Sequence, residues 1–341
     1  MLLRTLLCPK VRVSTSTSPL SLSLSTRYFS SKMALSSEVK PQTQASADEN
    51  SLLNQRLSMI TTAIPISTPG ALAAHGEKAT LKSLKSPILP GELSVIERSK
   101  QLAAWTAVDD YVKPHFRVIG IGSGSTVPYV VERIVSQGAE ANKDRVYIPT
   151  GFQSRELIVA SGLNLGDVDQ YPAIDVTLDG ADEVDIQLNC IKGGGACHLR
   201  EKVIAEAART FILVADYRKN VERLGTNFKA GVPIEVVPFA YAKVLGNLRT
   251  VIGSPKAHLR MAVAKAGPVV TDNGNFVIDA PFDEETMKDP YTIMARIKML
   301  TGVVEVGLFC HMATAAYFGN QDGSVTVKTN DGKVKQVQSS R

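Results

Sequence analysis

Residues 173–202 read AIDVTLDGADEVDIQLNCIKGGGACHLREK, an apolar run followed by Asp179, Asp182, Lys192, three consecutive glycines and Glu201. The apolar run is typical of a buried strand, and in open parallel sheets ligands bind beyond the carboxyl ends of the strands. Neighbouring carboxylates are costly to bury unless charges or hydrogen bonds match them. Three adjacent glycines indicate close approach of the backbone to another group. The stretch therefore predicts a site that holds a small polar substrate and moves protons on it.

Apolar runs alternate with helical patterns around this stretch. The runs FRVIGIG, RVYIPTG, AIDVTLDG and RTFILVAD predict buried strands, while VPYVVERIV, SRELIVASG and REKVIAEAA have helical spacing, as do residues 92–112. Strands that alternate with helices predict an α/β fold with a doubly wound, mostly parallel sheet. We assign residues 91–224 and 310–330 to this catalytic domain.

The pattern changes near residue 225. A strand-like PIEVVP precedes the helical FAYAKVLGNLRTVIG, and two β-rich runs then flank Asn273-Gly274, which is a strong hairpin signal. A helical TIMARIKML and a strand-like VVEVGLF follow. This order predicts a small inserted α+β domain over residues 225–309, and we expect residues 331–341 to form a C-terminal tail.

The amino terminus differs from the rest of the chain in charge. Residues 1–32 are rich in Ser and Thr and contain five basic residues and no acidic one. This composition resembles a transit peptide, with mitochondrial targeting as the expected role, and a disordered tail without an address is the alternative. Residues 33–90 predict a disordered linker. Met33 is a second candidate start, which would give a shorter cytosolic form.

Charge and cysteine content exclude several classes of protein. The net charge of +5 falls to zero without the five basic residues of the leader, so the sequence predicts no nucleic-acid surface. No run of 18 apolar residues is present, so we expect no membrane-spanning helix. The four cysteines fit a reducing compartment, and their spacing does not fit a zinc site.

Residues 120–126, GIGSGST, lie between a predicted strand and a predicted helix. Backbone N–H groups, the hydroxyls of Ser125 and Thr126 and the helix start could together bind an anion. The loop lacks the Gly-Lys-Ser/Thr ending of a P-loop and the third glycine of a dinucleotide fingerprint. We therefore expect a small phosphate here, with an unliganded tight turn as the alternative.

The carboxylates of this stretch have structural interpretations as well as catalytic ones. Asp179 and Asp182 could divide acid and base roles, or they could be a helix N-cap or a surface turn. Lys192 could stabilise an oxyanion. A lone helical Glu201 is more often solvated than catalytic, and only its neighbours favour catalysis. We expect His198 to start a helix and Cys197 to be a small packed side chain.

Four segments together resemble the type A ribose-5-phosphate isomerase family: AIDVTLDGADEVD, IKGGGACHLREKVIAEAA, GIGSGST and VTDNGNFVIDAPF. The resemblance runs from about Lys100 to Lys328. It implies interconversion of ribose 5-phosphate and ribulose 5-phosphate in the non-oxidative pentose phosphate pathway, without metal or cofactor. It also implies a ferredoxin-like lid, a homodimer or homotetramer, and a cytoplasmic location.

The resemblance also assigns site residues. Glu201 matches the family's catalytic base, and both Lys219 and Lys100 match lysines that face the phosphate. The chain departs from the family pattern at His198-Leu199, where the family usually has Leu-Thr. The catalytic positions are Glu201, Asp179, Asp182 and Lys192, and the substrate-binding positions are Ser123, Gly124, Ser125, Thr126, Gly180, Ala181, Gly193, Gly194, Gly195, Lys219 and Lys100.

Two other classes share a similar sheet. Sugar-phosphate-sensing repressors bind without catalysis, but they need a DNA-reading helix-turn-helix where this chain has a Ser/Thr-rich leader. Coenzyme A transferases use a glutamate nucleophile, but they lack the DGAD and KGGG segments. The sequence therefore favours the isomerase.

Overall fold

The structure, a computed structural model, describes residues 93–338 of the 341-residue chain. The predicted leader, the linker and the second start at Met33 lie outside the described residues. None of the helices within residues 93–338 has the length and apolar character needed to cross a membrane.

Fourteen strands and seven α-helices form the described part of the chain. The strands are β1 (Val118–Ile121), β2 (Val146–Pro149), β3 (Val176–Asp179), β4 (Glu183–Val184), β5 (Cys190–Ile191), β6 (Phe211–Asp216), β7 (Val232–Val236), β8 (His258–Leu259), β9 (Phe276–Ala280), β10 (Val303–Val306), β11 (Leu308–Phe309), β12 (Ala315–Gly319), β13 (Ser324–Thr329) and β14 (Val334–Gln338). The helices are α1 (Val95–Tyr111), α2 (Val127–Ser136), α3 (Ala139–Asn142), α4 (Phe152–Ala160), α5 (His198–Ala207), α6 (Tyr241–Asn247) and α7 (Pro290–Lys298).

The large sheet has seven strands in the order β14-β13-β12-β6-β3-β1-β2. The five strands from β12 to β2 are parallel, and β13 and β14 add to one edge antiparallel. Every residue of β6 is buried. Ile212 and Val214 of this strand pack with α1 and α2, whereas Phe211 and Leu213 pack into a cluster on the opposite face. The predicted doubly wound, mostly parallel sheet is confirmed.

The small sheet has the order β10-β7-β9-β8 and is antiparallel throughout. With α6 between β7 and β8 and α7 between β9 and β10, the chain order is β-α-β-β-α-β, the ferredoxin-like arrangement. The predicted Asn-Gly turn closes with a Thr271 N–H bond to Asn275 O of 2.8 Å, and Gly274 has a φ of 78°. The boundary near residue 225 stays a prediction, because residues 93–338 belong to one compact unit.

A third, short sheet of β11, β5 and β4 was not predicted. Its strands have two residues each, too few for a periodic pattern in the sequence. Asp182 N–H donates to Ile191 O (2.9 Å) and Lys192 N–H donates to Gly307 O (2.9 Å). The first bond holds the DGAD segment beside the start of the KGGG segment, and the second ties the KGGG segment to the residue before β11.

The predicted tail is wrong for residues 334–338, which form β14 and pair in register with β13. The signal lay in Asn330-Asp331-Gly332, a hairpin turn in which Gly332 has a φ of 80°. The strand is largely exposed and carries polar residues, so its pattern lacks the apolar run by which the central strands were identified.

At Gly319 the backbone of the sheet approaches α1 so closely that one added methyl group should push the helix away. A Cβ there would lie 1.8 Å from the backbone oxygen of Ser99, so α1 would have to move. We expect Gly319→Ala to lower the free energy of unfolding by about 1–3 kcal/mol. Gly246→Ala is the control, because that exposed position in α6 has open space, and it should gain about 0.5–1 kcal/mol. Equal free energies of unfolding for the two variants, measured with urea, would contradict the close approach of Gly319 to Ser99.

Candidate active site

A cleft opens at the carboxyl ends of β1, β3 and β6, where the sequence predicted the ligand. Thirteen of the fifteen predicted site residues line it; Asp179 and Lys100 do not, and Ala215 and Asp216 join the lining unpredicted. The lining consists of Ser123, Gly124, Ser125, Thr126, Gly180, Ala181, Asp182, Lys192, Gly193, Gly194, Gly195, Glu201, Ala215, Asp216 and Lys219.

Lys192 lies at the floor of the cleft with 2% of its side chain exposed. Its Nζ is 2.5 Å from Gly180 O, 2.9 Å from Asp179 Oδ2 and 3.3 Å from Glu201 Oε2. The Gly180 O contact is a hydrogen bond, whereas the two carboxylates are ion-pair partners of the ammonium group. Burial alone would lower the pKa of Lys192, but the two carboxylates raise it above its usual value, and the amine stays protonated.

Asp179 lies behind Lys192 and is completely buried. Its Oδ1 accepts the N–H groups of Ser123 (2.9 Å) and Gly180 (2.7 Å), and its Oδ2 pairs with Lys192. Burial raises the pKa of Asp179, and Lys192 with the two backbone donors opposes that rise. Because it does not line the cleft, this carboxylate is placed to hold Lys192 and the Ser123 loop.

Glu201 lies in the first turn of α5 and reaches the cleft. Its Oε1 accepts the Ser123 hydroxyl at 2.5 Å. Burial raises the pKa of Glu201 to about 7; Lys192 opposes this rise, and the Asp179 charge adds to it. A carboxylate that exchanges its proton near neutral pH is well suited to act as a general base.

Asp182 lines the cleft on the side of the glycine loop. Its Oδ2 accepts the Gly194 N–H at 2.7 Å, and a Cβ at Gly194 would lie 2.5 Å from Asp182 Oδ1. Only glycine therefore allows this approach. Burial raises the pKa of Asp182, and the Gly194 N–H is the largest influence that lowers it. The DGAD aspartates thus have separate positions, one in the cleft and one behind its floor.

The GIGSGST loop ends at α2, where Thr126 is the N-cap residue and Pro128 stands in the first turn. Gly124 N–H donates to Gln153 Oε1 at 2.8 Å, a contact from α4 that the sequence analysis missed. Lys219 lies across the cleft, in the turn after β6. The loop, the helix start and this lysine together place N–H groups, hydroxyls and an ammonium group along the cleft.

Lys100 is on α1, and its Nζ pairs with Glu97 Oε1 at 2.8 Å instead of lining the cleft. Glu97 is one turn before it and also accepts the Tyr129 hydroxyl at 2.7 Å. A carboxylate three residues earlier on the same helix can pair with a lysine. The sequence therefore contained the signal that Lys100 would pair with Glu97 and not line the cleft.

His198 starts α5, as expected, and is fully buried behind the glycine loop. Burial lowers its pKa to about 3, so the imidazole is neutral. Burial also raises the pKa of the Cys197 thiol to about 12, which disfavours a reactive thiolate. Within residues 93–338 no group of three or more His, Cys, Asp or Glu side chains could hold a metal ion.

Comparisons with known proteins agree on one family. The profile of the family described as ribose 5-phosphate isomerase A (phosphoriboisomerase A) matches residues 146–323. A ribose-5-phosphate isomerase of Mycosarcoma maydis is 67% identical over 244 residues, covering 72% of this chain and 85% of the relative. One of Cryptococcus neoformans var. neoformans serotype D (strain JEC21) is 64% identical over 262 residues, covering 75% of this chain and 85% of the relative.

A solved structure is also similar. A D-ribose-5-phosphate isomerase in complex with phospho-erythronic acid is 37% identical, with a TM-score of 0.62, and the match covers 71% of this chain and 99% of that one.

Glu201→Gln should make the free energy of unfolding less sensitive to a rise in pH from 4.5 to 8. Between pH 4.5, the ordinary pKa, and about 7 the folded protein keeps a proton on Glu201 that the unfolded chain has lost, so this group's contribution to the free energy of unfolding falls as pH rises. Gln cannot ionise, so the variant should gain about 3 kcal/mol over wild type between pH 4.5 and 8.

Urea unfolding across this pH range measures the difference. Glu206→Gln, which replaces an exposed carboxylate of the same helix, is the control for removing one charge. A difference between Glu201→Gln and wild type that stays constant or shrinks as pH rises would contradict the raised pKa.

Proposed function

Because the chain belongs to the ribose 5-phosphate isomerase A family and interconverts D-ribose 5-phosphate and D-ribulose 5-phosphate, we propose that Glu201 is the base that carries the proton between C2 and C1. One observation supports this assignment above all. The Glu201 carboxylate is buried at the cleft, between the Ser123 hydroxyl and the Lys192 ammonium, with its pKa raised to about 7.

The phosphate binds at the end of the cleft formed by residues 124–126, the start of α2 and Lys219, while the Ser123 hydroxyl faces Glu201. There the N–H groups, hydroxyls and ammonium supply positive potential and hydrogen-bond donors. Phospho-erythronic acid, the ligand of the similar solved structure, carries both a phosphate and a second anionic group. With the phosphate held at one end, the sugar carbonyl reaches the end that contains Glu201 and Lys192.

Asp182 opens the sugar ring. Ribose 5-phosphate is mainly a closed furanose, and its C1 hydroxyl must lose a proton while the ring oxygen gains one. Asp182 lines the cleft, whereas both oxygens of Asp179 are occupied behind it. Of the two aspartates, we therefore assign ring opening to Asp182.

Isomerisation follows in the open chain. Glu201 removes the C2 proton, the electrons move onto the carbonyl oxygen at C1, and a cis-enediolate forms. Lys192 and the N–H groups of the glycine loop stabilise the negative charge on oxygen, a contribution of about 10²–10³-fold per well-placed donor. The hydroxyl proton at C2 passes to the negative oxygen at C1, Glu201 returns its proton to C1, and the carbonyl at C2 of the ketose forms. No step uses a metal or cofactor.

The wider setting is inferred from the family to which the chain belongs. We place the enzyme in the non-oxidative branch of the pentose phosphate pathway and in the cytoplasm, acting as a homodimer or homotetramer. Residues 1–32 are a candidate mitochondrial targeting segment for the longer form.

Glu201→Gln should reduce turnover about a hundredfold or more while substrate binding survives, because Gln keeps the shape but cannot accept the proton. Ketose formation from ribose 5-phosphate in buffer with a metal chelator measures the activity. Glu206→Gln should retain wild-type turnover. Activity of Glu201→Gln within threefold of wild type would remove Glu201 from the base role.

Asp182→Asn should separate ring opening from proton transfer. Ribulose 5-phosphate cannot close a furanose ring, since its 5-oxygen carries the phosphate, so exchange of its C1 proton with solvent needs no ring chemistry. We expect isomerisation to fall roughly a hundredfold and the ratio of C1 exchange to isomerisation to rise at least tenfold. Mass spectrometry of ribulose 5-phosphate deuterated at C1 measures the exchange.

Asp179→Asn is the comparison variant for this experiment, because it removes the charge that holds Lys192. It should reduce exchange and isomerisation together and destabilise the fold. An Asp182→Asn variant in which the two rates fall in parallel would show that Asp182 takes part in enolisation.

A further inference from the structure

Arg260, on the small sheet directly after β8, contacts the glycine loop from behind. Its Nη1 donates to Gly193 O (2.9 Å) and Gly194 O (3.0 Å). Its Nε and Nη2 donate to the two carboxylate oxygens of Asp279 at 2.8 and 2.5 Å. Arg260 thus links β9 of the small sheet to the KGGG loop through four hydrogen bonds, and its side chain is 16% exposed.

The two carbonyl contacts help to set where the N–H groups of the loop point, together with the Ala196 N–H, which also donates to Gly193 O at 2.9 Å. In a planar trans peptide the N–H of the following residue points opposite to the C=O. With Gly193 O held by Arg260, the Gly194 N–H must point the other way, and it donates to Asp182 at 2.7 Å. With Gly194 O held as well, the Gly195 N–H also points away from Arg260, and Gly195 lines the cleft.

We propose that Arg260, held by Asp279, is a positioning residue for the isomerase reaction. It fixes two consecutive peptide units so that the Gly195 N–H faces the oxygen that becomes negative and the Gly194 N–H holds Asp182. This inference rests on the proposed function of the cleft, and it makes the small sheet part of the catalytic machinery although Arg260 itself does not line the cleft.

The chemistry of the guanidinium suits this role. Its planar fork binds one carboxylate through two parallel bonds and keeps a third nitrogen for the carbonyls, whereas a lysine ammonium is a single point charge. Its positive charge on the carbonyl side also polarises both peptides, which strengthens their N–H groups as donors. Asp279 is 4% exposed and orients the guanidinium.

The test compares Arg260→Ala with Arg249→Ala. Arg249 is a second arginine of the small domain that donates to a backbone carbonyl, Ala257 O at 2.9 Å, outside the cleft lining. We expect Arg260→Ala to reduce kcat roughly tenfold to a hundredfold with KM for ribose 5-phosphate within threefold, since a 1 Å misplacement can reduce a rate by that factor. Arg249→Ala should keep wild-type kcat and KM.

Ligand binding supplies a readout that a merely structural role would not change. Phospho-erythronic acid carries a carboxylate whose negative oxygens resemble those of the enediolate. Its binding should therefore depend on the orientation of the loop N–H groups more strongly than the binding of ribose 5-phosphate, whose sugar end is uncharged. Calorimetric titration measures the Kd for phospho-erythronic acid. The fold-increase in this Kd caused by Arg260→Ala should be at least five times the fold-increase in KM for ribose 5-phosphate.

Equal weakening of both ligands, or a kcat within threefold of Arg249→Ala, would overturn the proposal. If Arg260→Ala does not fold, Arg260→Lys carries the same test, because it keeps the charge and loses the fork. Glu201→Gln, assayed alongside, separates the two hypotheses. An inactive Glu201→Gln with a fully active Arg260→Ala would reject only the positioning role, whereas an active Glu201→Gln would reject the base.

Discussion

The three-way contact of Lys192 is the interaction on which the site depends. One ammonium group faces two buried carboxylates, Asp179 and Glu201, and a single positive charge cannot balance two negative charges in a site with little water. Asp179 has two backbone N–H donors in addition, while Glu201 has the Ser123 hydroxyl. The proton is therefore shared unequally, and Glu201 is the group that gains and loses it near neutral pH.

The fold brings these groups together by placing three consecutive segments of the chain at one edge of the large sheet. β3 ends in Asp179, the short third sheet carries the chain from Asp182 to Lys192, and α5 returns Glu201 to the same edge. The elements are short, and each is fixed by backbone hydrogen bonds. Such rigid placement matters because oriented donors stabilise a developing charge without having to reorganise.

The small sheet contributes from outside the cleft. Its Asn-Gly hairpin contacts the large unit through an Asp272 Oδ2 bond to Phe152 N–H (3.0 Å) and through an Arg200 bond to Asn273 Oδ1 (2.8 Å). Arg260 adds the contact to the glycine loop. Those three connections go to α4, α5 and the glycine loop, so the ferredoxin-like insertion contacts the surroundings of the site at several points.

The resemblance to the isomerase family implied the ferredoxin-like order of the insertion and the role of Glu201. The sequence by itself determined the alternating strands and helices, the α+β character of the insertion, and the presence in the cleft of Asp182, Lys192 and the glycine loops. These features depend on local periodicity and on short motifs, which are visible along the chain. Only the tertiary structure decided that Asp179 lies behind the floor, that Lys100 pairs with Glu97, and that β14 extends the sheet. It also brought Arg260, 67 residues away in sequence, to Gly193. Contacts of that kind depend on how separate elements pack, and no spacing in the sequence records the direction in which a packed side chain finally points.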